Sequence, residues 1–278
     1  MSISVHTNKS ALVALQNLNT TNDKLGDTQN RINTGLKISN ARDNAAIWSI
    51  AQGQRADIGA LAAVKMSLDR ANSIAEVSMT AGESISDLLV QLKEKVVAAM
   101  DPSLDTNSRT ALDSDFKSIL RQIKQVTDNA SFDGANLLNG TIATDIQFLA
   151  NAEANSYITL TAQNLSLGGS IVTLLDTSSL ATASMASDVL VNLNDSISFV
   201  NQALGSLGSQ AKQITAHANF VSKLTDVLET GVGNLVDADL AKESARLQAL
   251  QVQQQLGAQA LSIANQAPQV ILSLFRGG

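Results

Sequence analysis

The chain has 278 residues, 44% of them hydrophobic, which excludes a disordered polypeptide, and no cysteine, which excludes disulfides, thiolate catalysis and cysteine metal sites. A formal net charge of −6 and the lack of any Lys/Arg-rich run argue against a nucleic-acid partner. Aromatic residues make up only 3% and there are two prolines, so the composition suits thin layers of Ala, Leu, Ile and Val between long unbroken helices.

The first periodic block runs from about Lys9 to Asn33. Ala11, Leu15, Leu18, Leu25 and Ile32 fall in one heptad frame, with Asn22 and Gln29 on its remaining rungs. Its longest apolar run, Ala11 to Leu15, is too short for a cleaved secretory signal. No stretch reaches the ~20 apolar residues that span a bilayer, so membrane insertion is not expected; export by a route that reads an uncleaved end stays open.

A second, longer block holds one 3/4 frame through Leu61, Val64, Leu68, Ala71, Ala75, Ser78, Gly82, Ile85, Leu89, Leu92, Val96 and Ala99. Its middle rungs are small, which lets a neighbouring helix approach closely. The Asp101-Pro102-Ser103 turn stops it. A third helix is expected on Leu112, Phe116, Ile119, Ile123 and Val126, ending before Ser131-Phe132-Asp133-Gly134.

The middle changes character. Ile146 to Ala150 and Tyr157 to Thr161 are short and rich in strand formers, joined by the polar Asn151 to Ser156, which predicts a β-hairpin. Gly168-Gly169 and the Ser/Thr-rich stretch to about Ser187 read as loop, with one further candidate strand at Ile171 to Leu175. A fourth block follows on Leu190, Leu193, Ile197, Val200, Leu204, Leu207, Ala211, Ile214, Ala218, Val221, Thr225 and Leu228. Its frame continues to Val232 and Leu235 across Gly231 and Gly233, glycines that read as a helix break or hinge.

Last comes a ladder on Ala245, Ala249, Val252, Leu256, Ala260, Ile263, Ala267, Val270 and Leu274. Chain ends normally fray, whereas here both carry narrow apolar stripes that need a partner. The expected fold is mainly α: long antiparallel coiled-coil helices forming a rod, with a small β-hairpin insert. The second and fourth blocks pair antiparallel and bring the terminal ladders together at one pole. Leu256, Ile263, Val270 and Leu274 are expected to face Leu15, Leu18, Leu25 and Ile32.

No catalytic constellation survives inspection. His6 and His217 are the only histidines, and His217 reads as a helix-surface or boundary residue. Asp237, Asp239 and Glu243 admit a metal-ligand reading, but Asp237 and Asp239 suit the start of the last helix, where carboxylates cap free N–H groups. The glycine pairs lack a phosphate-loop context, and Trp48 reads as a helix contact. Neither a cofactor nor an enzymatic activity is expected.

The stretch Arg31-Ile32-Asn33-Thr34-Gly35-Leu36-Lys37-Ile38-Ser39-Asn40-Ala41-Arg42-Asp43-Asn44-Ala45-Ala46 resembles the N-terminal signature of bacterial flagellins, with Asn44 where an acidic residue is usual. Val236 to Glu243, and Ala264-Asn265-Gln266-Ala267-Pro268-Gln269-Val270-Ile271-Leu272-Ser273-Leu274-Phe275, resemble that family's C-terminal segment. Ile47-Trp48 in place of the commoner Gly-Leu is similar to alphaproteobacterial flagellins of the Caulobacter type.

The resemblance implies a filament subunit. Residues 1–40 with 236–278 would form an inner-tube domain, 41–139 with 188–235 a coiled-coil shell, and 140–187 a small β-hairpin insert in place of large outer domains. Implied partners are identical or related flagellins in a homopolymer, an export chaperone and the flagellar type III export apparatus, and the filament cap and hook-junction proteins. The implied location is the extracellular filament. A hook–filament junction protein and a coiled-coil secreted adhesin or needle-tip protein are the rival readings.

Many flagellins are read by an innate immune receptor through a Leu-Gln-Arg-Val-Arg-Glu-Leu pattern. The matching stretch here is Leu89-Val90-Gln91-Leu92-Lys93-Glu94-Lys95. Gln91 stands where Arg is expected and Lys95 where Leu is expected, with Glu94 retained, which implies poor activation.

Overall fold

A computed structural model describes residues 8–142 and 145–276, the stretch 267–276 as backbone. The elements run α1 (Lys9–Thr34), α2 (Ala45–Ala99), α3 (Thr106–Asn129), β1 (Ile146–Leu149), β2 (Tyr157–Leu160), α4 (Ala183–Val236) and α5 (Leu240–Arg276). The mainly α fold with one small β-hairpin is the one expected from periodicity. The chain packs as two units: one takes in residues up to 56 and from 227 onward, the other residues 57–226.

In the second unit, the twelve predicted rungs of α2 from Leu61 to Ala99 are all buried. Every predicted rung of α4 from Leu190 to Thr225 is buried or half-buried. The two helices run antiparallel, as paired contacts show: Asn72 accepts from Thr215 at 3.3 Å and Ser86 donates to Asn201 at 3.4 Å. Gly82 makes the close approach possible, because a Cβ there would lie 2.6 Å from Leu204 Cδ2. Here a small rung is a steric requirement.

α3 packs through Phe116, Ile119, Leu120 and Ile123. Its N-cap is Asp105, whose side chain accepts from Ser108 N. Arg109 donates to the carbonyls of Ala99 and Asp101, supplying acceptor partners at the end of α2. Asp113 accepts from Ser179 Oγ at 2.8 Å and Leu180 N at 2.7 Å, and pairs with Lys117 at 2.7 Å. Burial pushes the Asp113 carboxyl up, but the Lys117, Leu180 and Ser179 bonds together hold it below its ordinary value.

The hairpin is antiparallel, with Ile146 opposite Leu160 and Phe148 opposite Ile158. It docks on the helices through backbone groups. Leu149 N donates to Ser67 Oγ, Thr161 N donates to Gln210, and His217 Nε2 lies 2.7 Å from the Ala150 carbonyl. His217 is thus a half-buried boundary residue that ties the hairpin turn to α4. The candidate strand at Ile171 to Leu175 does not form. Val172 and Leu174 are buried, but Thr173 N donates to Ser196 Oγ of α4, and Gly168 N closes a turn on Leu174 O. The backbone bonds a strand would need go elsewhere. Gly231 and Gly233 also differ from expectation, since α4 continues through both to Val236.

Candidate functional site: the paired terminal helices

α1 begins where Asn8 accepts from Ala11 N at 3.0 Å and ends at Gly35, which adopts φ 70 as the left-handed C-cap. α5 begins where Asp239 Oδ1 accepts from Lys242 N at 3.1 Å. Asp239 therefore caps the helix as predicted. The Asp237 backbone instead bridges to Leu36.

Between these ends the two signature stretches meet. Ala238 N donates to Gly35 O at 2.8 Å, and Lys37 N and Ile38 N both donate to Val236 O, at 2.7 and 3.3 Å. Asp43 steadies the same loop by accepting from Ser39 N, Ser39 Oγ and Asn40 N. The Ser39 backbone bond, above all, holds the Asp43 carboxyl below its ordinary value. Asn44, the departure from the family pattern, accepts from Ile47 N at 3.1 Å and caps α2, a task Asn performs as well as Asp. The two motifs form one clasp.

Beyond the clasp α1 and α5 lie antiparallel. Arg31 Nη1 reaches Glu243 Oε1 at 3.2 Å, and Gln254 Nε2 donates to Asn22 Oδ1 at 2.7 Å. Asn8 Nδ2 donates to Ala264 O at 2.7 Å. At Gly257 an added Cβ would lie 3.3 Å from Leu18 Cδ1. On α1 the covered positions are Ala11, Ala14, Leu18, Thr21, Leu25, Gly26, Thr28, Arg31 and Ile32. Leu18, Leu25 and Ile32 thus join the seam as expected, whereas Leu15 is 43% exposed.

On α5 the expectation is overturned. Leu256 and Ile263 do not face α1; they are 59% and 69% exposed, and Val252 is exposed beside them. The covered positions are Glu243, Leu247, Leu250, Gln254, Gly257, Leu261 and Ala264, stepping 4, 3, 4, 3, 4, 3. This second stripe lies two residues behind the predicted one for most of its length. At ~100° per residue that is nearly the opposite face. α5 is therefore bifacial: one heptad stripe is used within the chain and the other is open. Sequence reading missed the inner stripe because Glu243, Gln254 and Gly257 dilute its apolar character, although its spacing was legible.

Of the remaining predicted residues, Asn33, Ala41, Asn265 and Gln266 are exposed. Pro268, Val270 and Leu274 lie outside the residues whose side chains are described. Gln91 and Glu94 are exposed on α2, and Lys95 pairs with Asp115 of α3 at 2.8 Å. Among the described residues no group of three or more His, Asp or Glu is placed to hold a metal ion, and no helix is long and apolar enough to cross a membrane.

Comparison with known proteins places this arrangement. The bacterial flagellin N-terminal helical region matches residues 5–143, and the bacterial flagellin C-terminal helical region matches residues 190–275. Flagellin FljJ of Caulobacter vibrioides is 58% identical over the full length of both chains. Flagellin FljM of the same organism is 50% identical over 98% of each, and a Brucella melitensis flagellin is 42% identical over 99% of each. Among solved structures, Bacillus cereus flagellin aligns with TM-score 0.50 at 19% identity, over 56% of this chain and 88% of that one. A flagellar hook-associated protein from Vibrio parahaemolyticus aligns with TM-score 0.54 at 14% identity, over 70% of this chain and all of that one. These two likenesses concern the fold alone.

Proposed function

This chain belongs to the bacterial flagellins and is a structural subunit of the flagellar filament, and on that footing we propose that the open stripe of α5 is its assembly surface. The observation that carries the proposal is the exposure of Val252, Leu256 and Ile263 at heptad spacing, on the face turned away from α1. Such a stripe is stable only when covered. In a homopolymer other copies of the chain supply the cover. Leu15, exposed on α1, extends the surface, and Val270 and Leu274 continue the α5 ladder in sequence. Leu18, Leu25 and Ile32 act indirectly, by holding α1 against α5.

In this reading residues 1–40 with 236–278 form the inner tube. Residues 41–139 with 188–235 form the surrounding shell, and 140–187 is an insert of that shell. Export runs through the flagellar type III apparatus, and a chaperone covers the C-terminal segment beforehand. The filament cap and hook-junction proteins are further partners. The role is structural, with no catalytic step. The high identity to flagellins along the whole chain favours a filament subunit over a hook–filament junction protein, a distinction the shared fold does not make.

The test is seeded polymerisation of purified protein followed by electron microscopy. The chain is expected to form long filaments, and Ile263→Asp, which places an unpaired carboxylate in the covered stripe, is expected to abolish them. Filaments of normal length from the variant would remove Ile263 from the assembly surface.

A further inference from the structure

α5 offers α1 a choice of two faces. The outer stripe (Val252, Leu256 and Ile263, with Ala245, Ala249 and Ala260) has as much apolar character as the inner one (Leu247, Leu250, Leu261 and Ala264). Apolar burial alone therefore does not decide which stripe turns inward. The two faces differ in their polar members. The inner stripe carries Glu243 and Gln254, and each meets a polar group of α1: Glu243 meets Arg31 at 3.2 Å and Gln254 meets Asn22 at 2.7 Å. Rotating α5 to turn its outer stripe inward breaks both couples. It also sets the half-buried Arg31 and the buried Thr21 and Thr28 against alanine, valine and leucine.

The Arg31–Glu243 pair is poorly suited to adding stability. Glu243 is only 8% exposed, and its second oxygen, Oε2, has no hydrogen-bond partner among the described residues. Only Glu243 of the pair is buried, Arg31 being 35% exposed. A partly buried ion pair left half-satisfied contributes little net stability, and the best-attested use of such groups is to specify one packing arrangement over another. Residues 237–239 between α4 and α5 are not helical, so α4 does not by itself set which face α5 turns toward α1.

We infer that Arg31–Glu243 and Asn22–Gln254 are face-selecting couples: they commit the inner stripe of α5 to α1 and so keep the outer stripe from being buried within its own chain. This rests on the outer stripe being the assembly surface. Without the couples, both faces compete for α1, and a chain folded on the wrong face has hidden the surface that other copies must reach.

The absence of cysteine gives a clean test in the full-length protein. A Cβ at position 257 would lie 3.9 Å from Leu18 Cβ, within disulfide geometry, so Leu18→Cys with Gly257→Cys reports the inner face. Leu18→Cys with Leu256→Cys reports the outer face. With both couples intact, the 18–257 pair is expected to oxidise at least tenfold faster than the 18–256 pair. Adding Glu243→Met and Gln254→Leu should shrink that ratio to about threefold or less. Arg31→Glu alone should shrink it likewise, and Arg31→Glu with Glu243→Arg should restore it.

A ratio unchanged in the Met/Leu background, or unrestored by the charge swap, overturns the inference. Should the Met/Leu variant lose its helical circular dichroism, the single Arg31→Glu and the swap decide alone. The crosslinking ratio is read without any polymer, so its failure is separable from failure of the assembly surface itself, which the Ile263→Asp filaments report.

Discussion

Two leucines six residues apart on α5 should fail in opposite ways. Leu250 is 6% exposed against α1, and Leu256 is 59% exposed on the other face. Truncating Leu250 to Ala removes a side chain already buried in the isolated chain and should cost about 2–5 kcal/mol of seam stability. Leu256→Ala should leave the isolated chain within about 0.5 kcal/mol, as exposed substitutions usually do. In the filament the positions reverse. Full burial of a leucine side chain is worth about 1.5–3 kcal/mol, so covering the exposed part of Leu256 contributes about 1–2 kcal/mol per subunit. Losing it should raise the critical concentration for seeded growth about 5- to 30-fold. The assays are urea unfolding of the monomer, read by circular dichroism, and sedimentation of polymer across a concentration series. Equal losses of monomer stability from the two variants, or an unchanged critical concentration for Leu256→Ala, would refute the two-faced account of this helix.

Gly82→Val should lower monomer stability by about 1–3 kcal/mol, because its Cβ starts 2.6 Å from Leu204 Cδ2; a thermal melt reads it, and Leu204→Ala should recover part of the loss. Asp113 supplies a pH dependence. Its folded carboxyl sits below the ordinary value, so the anchorage of residues 179 and 180 is fully present above the unfolded pKa and lost as pH falls through the folded one. The Leu180 amide chemical shift should report that loss, and Asp113→Asn should flatten the response. Purified monomer should activate the flagellin-sensing immune receptor poorly, whereas Gln91→Arg with Lys95→Leu should raise reporter-cell signalling. That change gives up the half-exposed Lys95–Asp115 pair, so its stability cost should not exceed about 1 kcal/mol.

The long helices were legible because nothing competes with their periodicity. The small rung Gly82 of α2 falls where Leu204 of α4 comes close, and the α4 frame runs unbroken through Gly231 and Gly233. A glycine's helix penalty of about 1 kcal/mol is easily outweighed by a packed stripe, and reading these two as a hinge gave local propensity too much weight. The α5 face was misread for a related reason. Ranking stripes by apolar purity selects the one that looks most like a core, yet the stripe used within the chain carries Glu243, Gln254 and Gly257. Their partners, Arg31, Asn22 and Leu18, are more than 200 residues away in sequence. A polar rung becomes readable as a seam position only when the residue that satisfies it is known. The Ile171 to Leu175 segment failed similarly, since the alternation was real but Ser196 of α4 took the Thr173 amide.

The composition of α5 has a further consequence for a chain that binds copies of itself. From Leu247 to Phe275 there is no charged residue, and the exposed positions beside the outer stripe are neutral amides: Gln251, Gln253, Gln255 and Gln259. In a contact between identical chains, any charge near the interface meets the same charge at the equivalent place on a neighbour, and burial adds a desolvation cost to the repulsion. Glutamine keeps the helix hydrated before assembly without carrying that penalty into the polymer. It also dilutes the hydropathy, and the described helix is not apolar enough over its length to cross a membrane despite the ladder of Val252, Leu256 and Ile263. The charges that α5 does carry near its start, Lys242, Glu243 and Arg246, lie by the clasp, where Glu243 already has its opposite on α1. Charge therefore lies at the contact within the chain and is absent from the stripe proposed as the assembly surface.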